Sequence, residues 1–173
     1  MLKTLHIENI AVIERADVEF SAGLSVLTGE TGAGKSIIID SLNAVLGNRV
    51  SRELVRSGAE RASVTASFES AQAERWCADN EIDADDGEII LQRRISTDGK
   101  STGRVNGVPV TASQLRELGA LLLDIHGQND GRQLLDERRH LDYLDAFGEC
   151  GEPLAAYRET YDAYRALVRE SER

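Results

Sequence analysis

Gly29-Glu30-Thr31-Gly32-Ala33-Gly34-Lys35-Ser36 fills the pattern G-x-x-x-x-G-K-[ST] without a mismatch. This is the pattern of a phosphate-binding loop, and each residue type in it has a physical task. The glycines let the backbone curl with its N–H groups turned inward, a concavity that suits anionic phosphate. Lys35 is placed to reach the β- and γ-phosphates of a nucleoside triphosphate, and the Ser36 hydroxyl to sit on Mg²⁺. The helix that follows adds partial positive charge at its N-terminus. Four constrained positions match by accident in on the order of 1% of chains of this length, so the flanks decide. A strand must precede the loop and a helix must follow it. Before it, Gly23 to Thr28 is a short apolar run that reads as a buried strand. After it come three isoleucines, β-formers by propensity. Yet Ile38, Leu42, Val45 and Leu46 keep helical spacing, and Gly47 fits a helix stop. The competing reading is a glycine-rich turn with an incidental lysine.

With 173 residues the chain has enough length for one domain with a real core. Its net charge is −10, which makes the whole surface a poor magnet for nucleic acid. Any DNA contact must come from a local basic patch or from other parts of a larger protein. Cys77 and Cys150 are the two cysteines and are widely spaced. They fit neither a metal pattern nor a disulfide scaffold, so a reducing cytosol is expected. No apolar run approaches the ~20 residues of a membrane span, and the N-terminus has no signal-peptide pattern. A cytoplasmic protein without a membrane partner is the expectation.

Working outward from the loop, Leu2 to Asn9 and Val12 to Phe20 read as strands, joined to the loop strand by the turn Ser21-Ala22-Gly23. Ala62 to Glu69 alternates without error, as a half-buried antiparallel strand does. Ser70 is an N-cap for a helix over Ala71 to Asp79. Glu88 to Ser96, Ser101 to Val105 and Val108 to Val110 form a meander, with Asn106-Gly107 as the hairpin turn. Thr111 and Gln114 make a capping box for a helix that Gly119 is expected to stop. Leu121 to Ile125 then reads as a second buried strand, and Asp136 as the cap of a helix over Glu137 to Phe147 ended by Gly148. From Leu154 the spacing changes: Leu154, Tyr157, Tyr161, Tyr164 and Val168 step by three and four, a heptad seam among charged faces. Two heptads are too short for an independent coiled coil, so the seam reads either as the root of a longer one or as an amphipathic helix packed on the domain. The boundaries expected are a lobe over 1–150 and a helical root over 151–173. The loop strand and the Leu121 strand imply a parallel core sheet, with an antiparallel β-subdomain beside it.

Several stretches together resemble a known family. Leu5-His6-Ile7-Glu8-Asn9-Ile10-Ala11-Val12-Ile13 followed by the phosphate loop resembles the N-terminal half of an SMC-like, ABC-type ATPase head, and more narrowly the RecN family of bacterial DNA-repair proteins. Leu46-Gly47-Asn48-Arg49, Arg104-Val105-Asn106-Gly107 and above all Asp124-Ile125-His126-Gly127-Gln128 carry the narrower likeness. It implies an α/β fold, a P-loop NTPase head lobe with an antiparallel β-subdomain and the start of a coiled coil. It also implies ATP and Mg²⁺ as ligands, bound by Gly29, Glu30, Thr31, Gly32, Ala33, Gly34, Lys35 and Ser36. By the same resemblance Gln128 occupies the Q-loop position, where a neutral amide contacts Mg²⁺ and the attacking water. Lys35 and Gln128 are then the catalytic residues, and Ser36 and Gln128 the metal contacts. After Gln128 this chain continues Asn129-Asp130-Gly131-Arg132-Gln133, where the family pattern has His-Glu-His-Gln. His126 reads either as a general base near the γ-phosphate or as a backbone hydrogen-bonding group. Arg49, Arg52, Arg56 and Arg61 read as solvated or as nucleotide or DNA contacts. Gln92-Arg93-Arg94 with Lys100 and Arg104 reads as an exposed charged hairpin or a small phosphate-binding patch.

A head of this superfamily also needs a strand ending in Asp-Glu and a Ser-Gly-Gly signature. No Ser-Gly-Gly occurs, and Leu134-Leu135-Asp136-Glu137 is the nearest approach to the acidic pair. The expectation is therefore half a head, an ATPase only when completed by a C-terminal half. Its expected partners are that half of the same head, a second head in a homodimer, and DNA through the complete protein in the nucleoid. The expected role is double-strand break repair and recombination through ATP-driven head engagement. Two alternatives are a transporter ATPase subunit and a non-catalytic dimerisation or DNA-docking module.

Overall fold

Leu5, Ile7, Val64, Ala66, Phe68, Ile89, Leu91, Ile95 and Val105 are at most 1% exposed, and they alternate along four strands with polar neighbours. That period of two builds a sheet with one apolar face. The structure, a computed structural model, describes residues 1–28, 34–84, 87–125 and 140–171. The strands are β1 (Leu2–Ile10), β2 (Ile13–Glu19), β3 (Arg61–Glu69), β4 (Glu88–Ser96), β5 (Ser101–Val105) and β6 (Val108–Val110). They form one six-stranded sheet in the order β2-β1-β3-β4-β5-β6, and every neighbouring pair is antiparallel. Three helices belong to the same unit: α1 (Gly34–Val45), α2 (Ala71–Asp79) and α3 (Ala112–Leu122). Helix α1 packs on β1, β3 and β4, α3 packs on β5, and α2 packs on α3.

Local chemistry sets most of the ends. The Ser70 side chain accepts from the Ala73 N–H and starts α2. Thr111 and Gln114 form the reciprocal capping box that starts α3. Asn106 turns the β5–β6 hairpin at φ +45°, followed by Gly107 at φ +81°. The Asn106 side chain also accepts from the Ile90 N–H at 2.7 Å and donates to the Asp83 carbonyl at 2.7 Å, tying the hairpin to the start of β4.

Three expectations fail in this unit. Residues 23–28 form no strand, and Leu24 is 90% exposed. Residues 121–125 form none either: Leu121 and Leu122 are the last residues of α3. A strand exists only through ladder partners, and among the described residues neither segment has one, so the parallel core sheet is not formed here. Gly119 does not stop α3. It lies inside the helix because a Cβ there would sit 2.8 Å from the Leu46 carbonyl oxygen, so glycine is needed for close packing.

Residues 125–173 make a second unit. It contains α4 (His140–Phe147) and α5 (Gly151–Ser171). Helix α4 ends at Phe147 as read, though the left-handed residue is Glu149 (φ +52°) and not Gly148. The expected cap at Asp136 lies outside the described residues. Helix α5 carries the heptad seam on an exposed face: Tyr157, Tyr161 and Tyr164 are all exposed, and the Tyr157 and Tyr161 rings stack with centroids 5.8 Å apart.

Candidate functional site

The phosphate loop feeds directly into α1, and the packing of α1 decides where its first turn points. Ile37, Ser41, Leu42, Ala44 and Val45 are the buried stripe of this helix. The Ser41 hydroxyl donates to the Ile37 carbonyl at 2.7 Å, which satisfies a polar group inside the core. At the far end Gly47 takes φ +87°, and a Cβ there would lie 2.5 Å from the Arg116 backbone nitrogen. Only glycine fits both the conformation and the contact. Helix α1 is thus clamped by β1, β3 and β4 along its length and by α3 at its C-terminal end.

The N-terminal turn is open by contrast. Gly34, Lys35 and Ser36 are exposed, and nothing lies within 4 Å of a Cβ built on Gly34. The first turn carries no acidic residue. Among the described residues of this turn, an ammonium, a hydroxyl and the N–H groups of a helix start fit a polyphosphate and its divalent cation. Of the other site residues read from the sequence, Gly29, Glu30, Thr31, Gly32, Ala33, His126 and Gln128 lie outside the described residues.

The arginines sort differently from their sequence grouping. Arg56 is structural: its Nη1 donates to the Val12 carbonyl at 2.7 Å, while its backbone N–H donates to Asn9. It ties the segment after α1 to the β1–β2 turn, where Asn9 and Ala11 hold φ +54° and +47°. Arg49, Arg52 and Arg61 are exposed. Arg94 and Arg104 point to the polar face of the sheet, but Arg93 points to the core and is 5% exposed. The basic hairpin patch therefore loses one of its members. The alternation Ile89, Leu91, Arg93, Ile95 was the signal for that inward placement.

His6 on β1 lies between two carboxylates on the polar face. It contacts Asp17 through Nδ1 and Glu8 through Nε2, the latter at 3.2 Å. The hydrogen bond to Asp17, aided by Glu8, raises the His6 pKa above its ordinary value, and both carboxyls are held below theirs chiefly by His6.

A helix anchored on an antiparallel sheet in this way has known counterparts. A model of the AAA domain matches residues 4–149. The chain belongs to the AAA domain family. It is 47% identical over 175 residues to the DNA repair protein RecN of Bacillus subtilis, a match covering 98% of this chain and 30% of that protein. The chain spans about 30% of the length of the curated relatives it matches. The Smc head domain with a coiled coil and joint from Pyrococcus yayanosii aligns with a TM-score of 0.66 at 22% identity, over 97% of this chain and 37% of that one. A chain solved in work on ATP-driven dimerisation and DNA-stimulated activation of SMC ATPases gives a TM-score of 0.60 at 24% identity, over 80% of this chain and 95% of that one. At these identities the structural likeness speaks for the fold alone. The fold is that of the Smc head domain, with helices on an antiparallel sheet. Among the described residues no helix is long and apolar enough to cross a membrane.

Proposed function

We propose that this chain is the N-terminal head lobe of a RecN-like ATPase acting in double-strand break repair and recombination. The observation that carries the proposal is the open first turn of α1, with Lys35 and Ser36 exposed on a helix otherwise clamped in the core. The likeness to RecN over nearly the whole chain supplies the DNA-repair context.

In this reading the backbone of Gly29 to Gly34 cradles the phosphates of ATP, Lys35 pairs with the β- and γ-phosphates, and the Ser36 hydroxyl holds Mg²⁺. Bound MgATP supplies a γ-phosphoryl group poised for attack by water. Gln128 positions that water and completes the metal's surroundings, as a neutral amide able both to donate and to accept. Residues 1–150 form the lobe, and 151–173 form the root of a coiled-coil helix whose tyrosine seam takes a returning helix. The partners are the C-terminal half of the same head, a second head, and DNA. The place of action is the cytoplasm, at the nucleoid. ATP held between two heads shifts the population toward the engaged pair, and hydrolysis releases it. The long helix Gly151–Ser171 and the RecN likeness favour this over a transporter subunit.

The test is ATP-dependent association of the complete protein, followed by light scattering with and without DNA. The intact protein should associate with ATP, and Lys35→Ala should not. Unchanged ATP-dependent DNA association in Lys35→Ala would favour a non-catalytic docking module instead.

A further inference from the structure

Among the described residues Arg93 is the one buried cation, and nothing above uses it. It stands on the apolar face of β4, opposite Val64 on β3 and Gly103 on β5, and is 5% exposed. Its Nη2 donates to the Ser101 hydroxyl at 2.8 Å, while its buried Nε has no acceptor among the described residues. A guanidinium offers five donors and keeps its charge, so burial without an anion leaves most of its chemistry unanswered. The charge that acts on it, Arg116, is of the same sign. A Cβ on Gly103 would lie 2.3 Å from Leu115 Cδ1, so α3 presses on β5 beside Arg93, and the next residue along α3 is Arg116. Arg116 is exposed, and its Nη2 donates to the Gly47 carbonyl at 3.3 Å. Burial first, and then the charge of Arg116, disfavour the cationic form of Arg93. Neither arginine makes an ion pair among the described residues.

Two guanidiniums and a hydroxyl on neighbouring elements form a donor set with no carboxylate acceptor among the described residues. We propose that Arg93, Arg116 and Ser101 form an oxyanion site that takes a phosphate group. Ser101 accepts from Arg93 and so keeps its O–H free to donate to the anion. Arg116 presents an exposed fork, and Arg93 supplies a second fork in a drier setting where a charge-assisted bond is stronger. The site is not the phosphate loop. Gly47 lies beyond the C-terminal end of the 12-residue α1, and such a helix spans about 18 Å. The phosphate comes either from a free phosphate monoester or from a nucleic-acid backbone.

The decisive measurement is the Arg93 Nε–Hε resonance of the full chain, followed by NMR in a Lys35→Ala background that removes the competing loop lysine. Inorganic phosphate, added at constant ionic strength against chloride, should move that resonance saturably. Arg116→Gln, on an exposed helix face, should weaken the response about tenfold or more. Arg93→Met should fold and lose the phosphate-dependent rise in Tm; if it does not fold, Arg116→Gln still decides. Repeating the titration with single-stranded DNA at matched phosphate separates the sources. Saturation at lower concentration by DNA assigns a backbone phosphate, and saturation by inorganic phosphate alone assigns a free one. An unmoved resonance, an equal shift with chloride or acetate, or an unweakened Arg116→Gln response would overturn the proposal.

Discussion

Replacing Gly47 with alanine tests the clamp that fixes α1, because two separable penalties meet at this residue. Gly47 has φ +87°, and its Cβ would approach Arg116 N at 2.5 Å and Leu115 C at 2.8 Å, both backbone atoms. Gly58 has the same φ of +87° with nothing within 4 Å. Gly58→Ala therefore reports the left-handed conformation alone, a cost of about 1–2 kcal/mol. Gly47→Ala adds the overpacking of a rigid contact, about 1–3 kcal/mol more, for a total of about 2–5 kcal/mol. Against a typical stability of about 5–15 kcal/mol this is a large loss. In urea, with a slope of about 1–3 kcal/mol/M, the midpoint of Gly47→Ala should fall on the order of 1–2 M, clearly further than that of Gly58→Ala. Circular dichroism of both variants beside the parent chain reads the difference. Equal midpoints for the two variants would refute the claim that α3 clamps α1 at this point.

Three further outcomes follow from other contacts. The pH dependence assigned to His6 should appear as the stability difference between the parent and His6→Gln. The raised His6 pKa contributes below its ordinary value of 6.5 and is lost as pH rises through the folded value. The lowered Glu8 and Asp17 contribute above their ordinary values of 4.5 and 3.8 and are lost as pH falls. The difference should thus peak between those limits, and a pH-independent difference would exclude the cluster. Trp76, the single tryptophan, is 7% exposed and donates from Nε1 to Glu117 at 3.0 Å. Glu117→Ala should leave that N–H unpaired at a cost of about 1–3 kcal/mol and change the emission of the folded state, whereas an unaltered spectrum would place the bond elsewhere. Thr111→Ala removes the capping box of α3 and should cost about 0.5–2 kcal/mol by the same urea assay.

The features legible in the sequence are those whose cause is local. The ends of β4, β5 and β6 follow from alternation and from the Asn106-Gly107 turn, and Ser70 and Thr111 mark helix starts through bonds made within three residues. Features with a distant cause are not legible there. Gly119 looks like a helix stop, but its role is set by Leu46, far away in sequence. Gly23 to Thr28 and Leu121 to Ile125 have strand composition, but ladder partners alone convert composition into a strand. At the site, Lys35 and Ser36 stand where the loop pattern puts them, at the head of α1. Arg93 and Arg94 are adjacent, yet they fall on opposite faces of the sheet, because β4 runs through the pair with a period of two.

In the function proposed above, the loop ending in Lys35-Ser36 grips ATP in half of a head and needs the other half for turnover. Steady-state MgATP hydrolysis should be measured for the 173-residue chain alone, for the complete protein, and for the complete protein with Lys35→Ala. Turnover by the chain alone should be negligible, the complete protein should be active, and the variant should lose that activity. Robust hydrolysis by the chain alone, or undiminished hydrolysis by Lys35→Ala, would contradict that function.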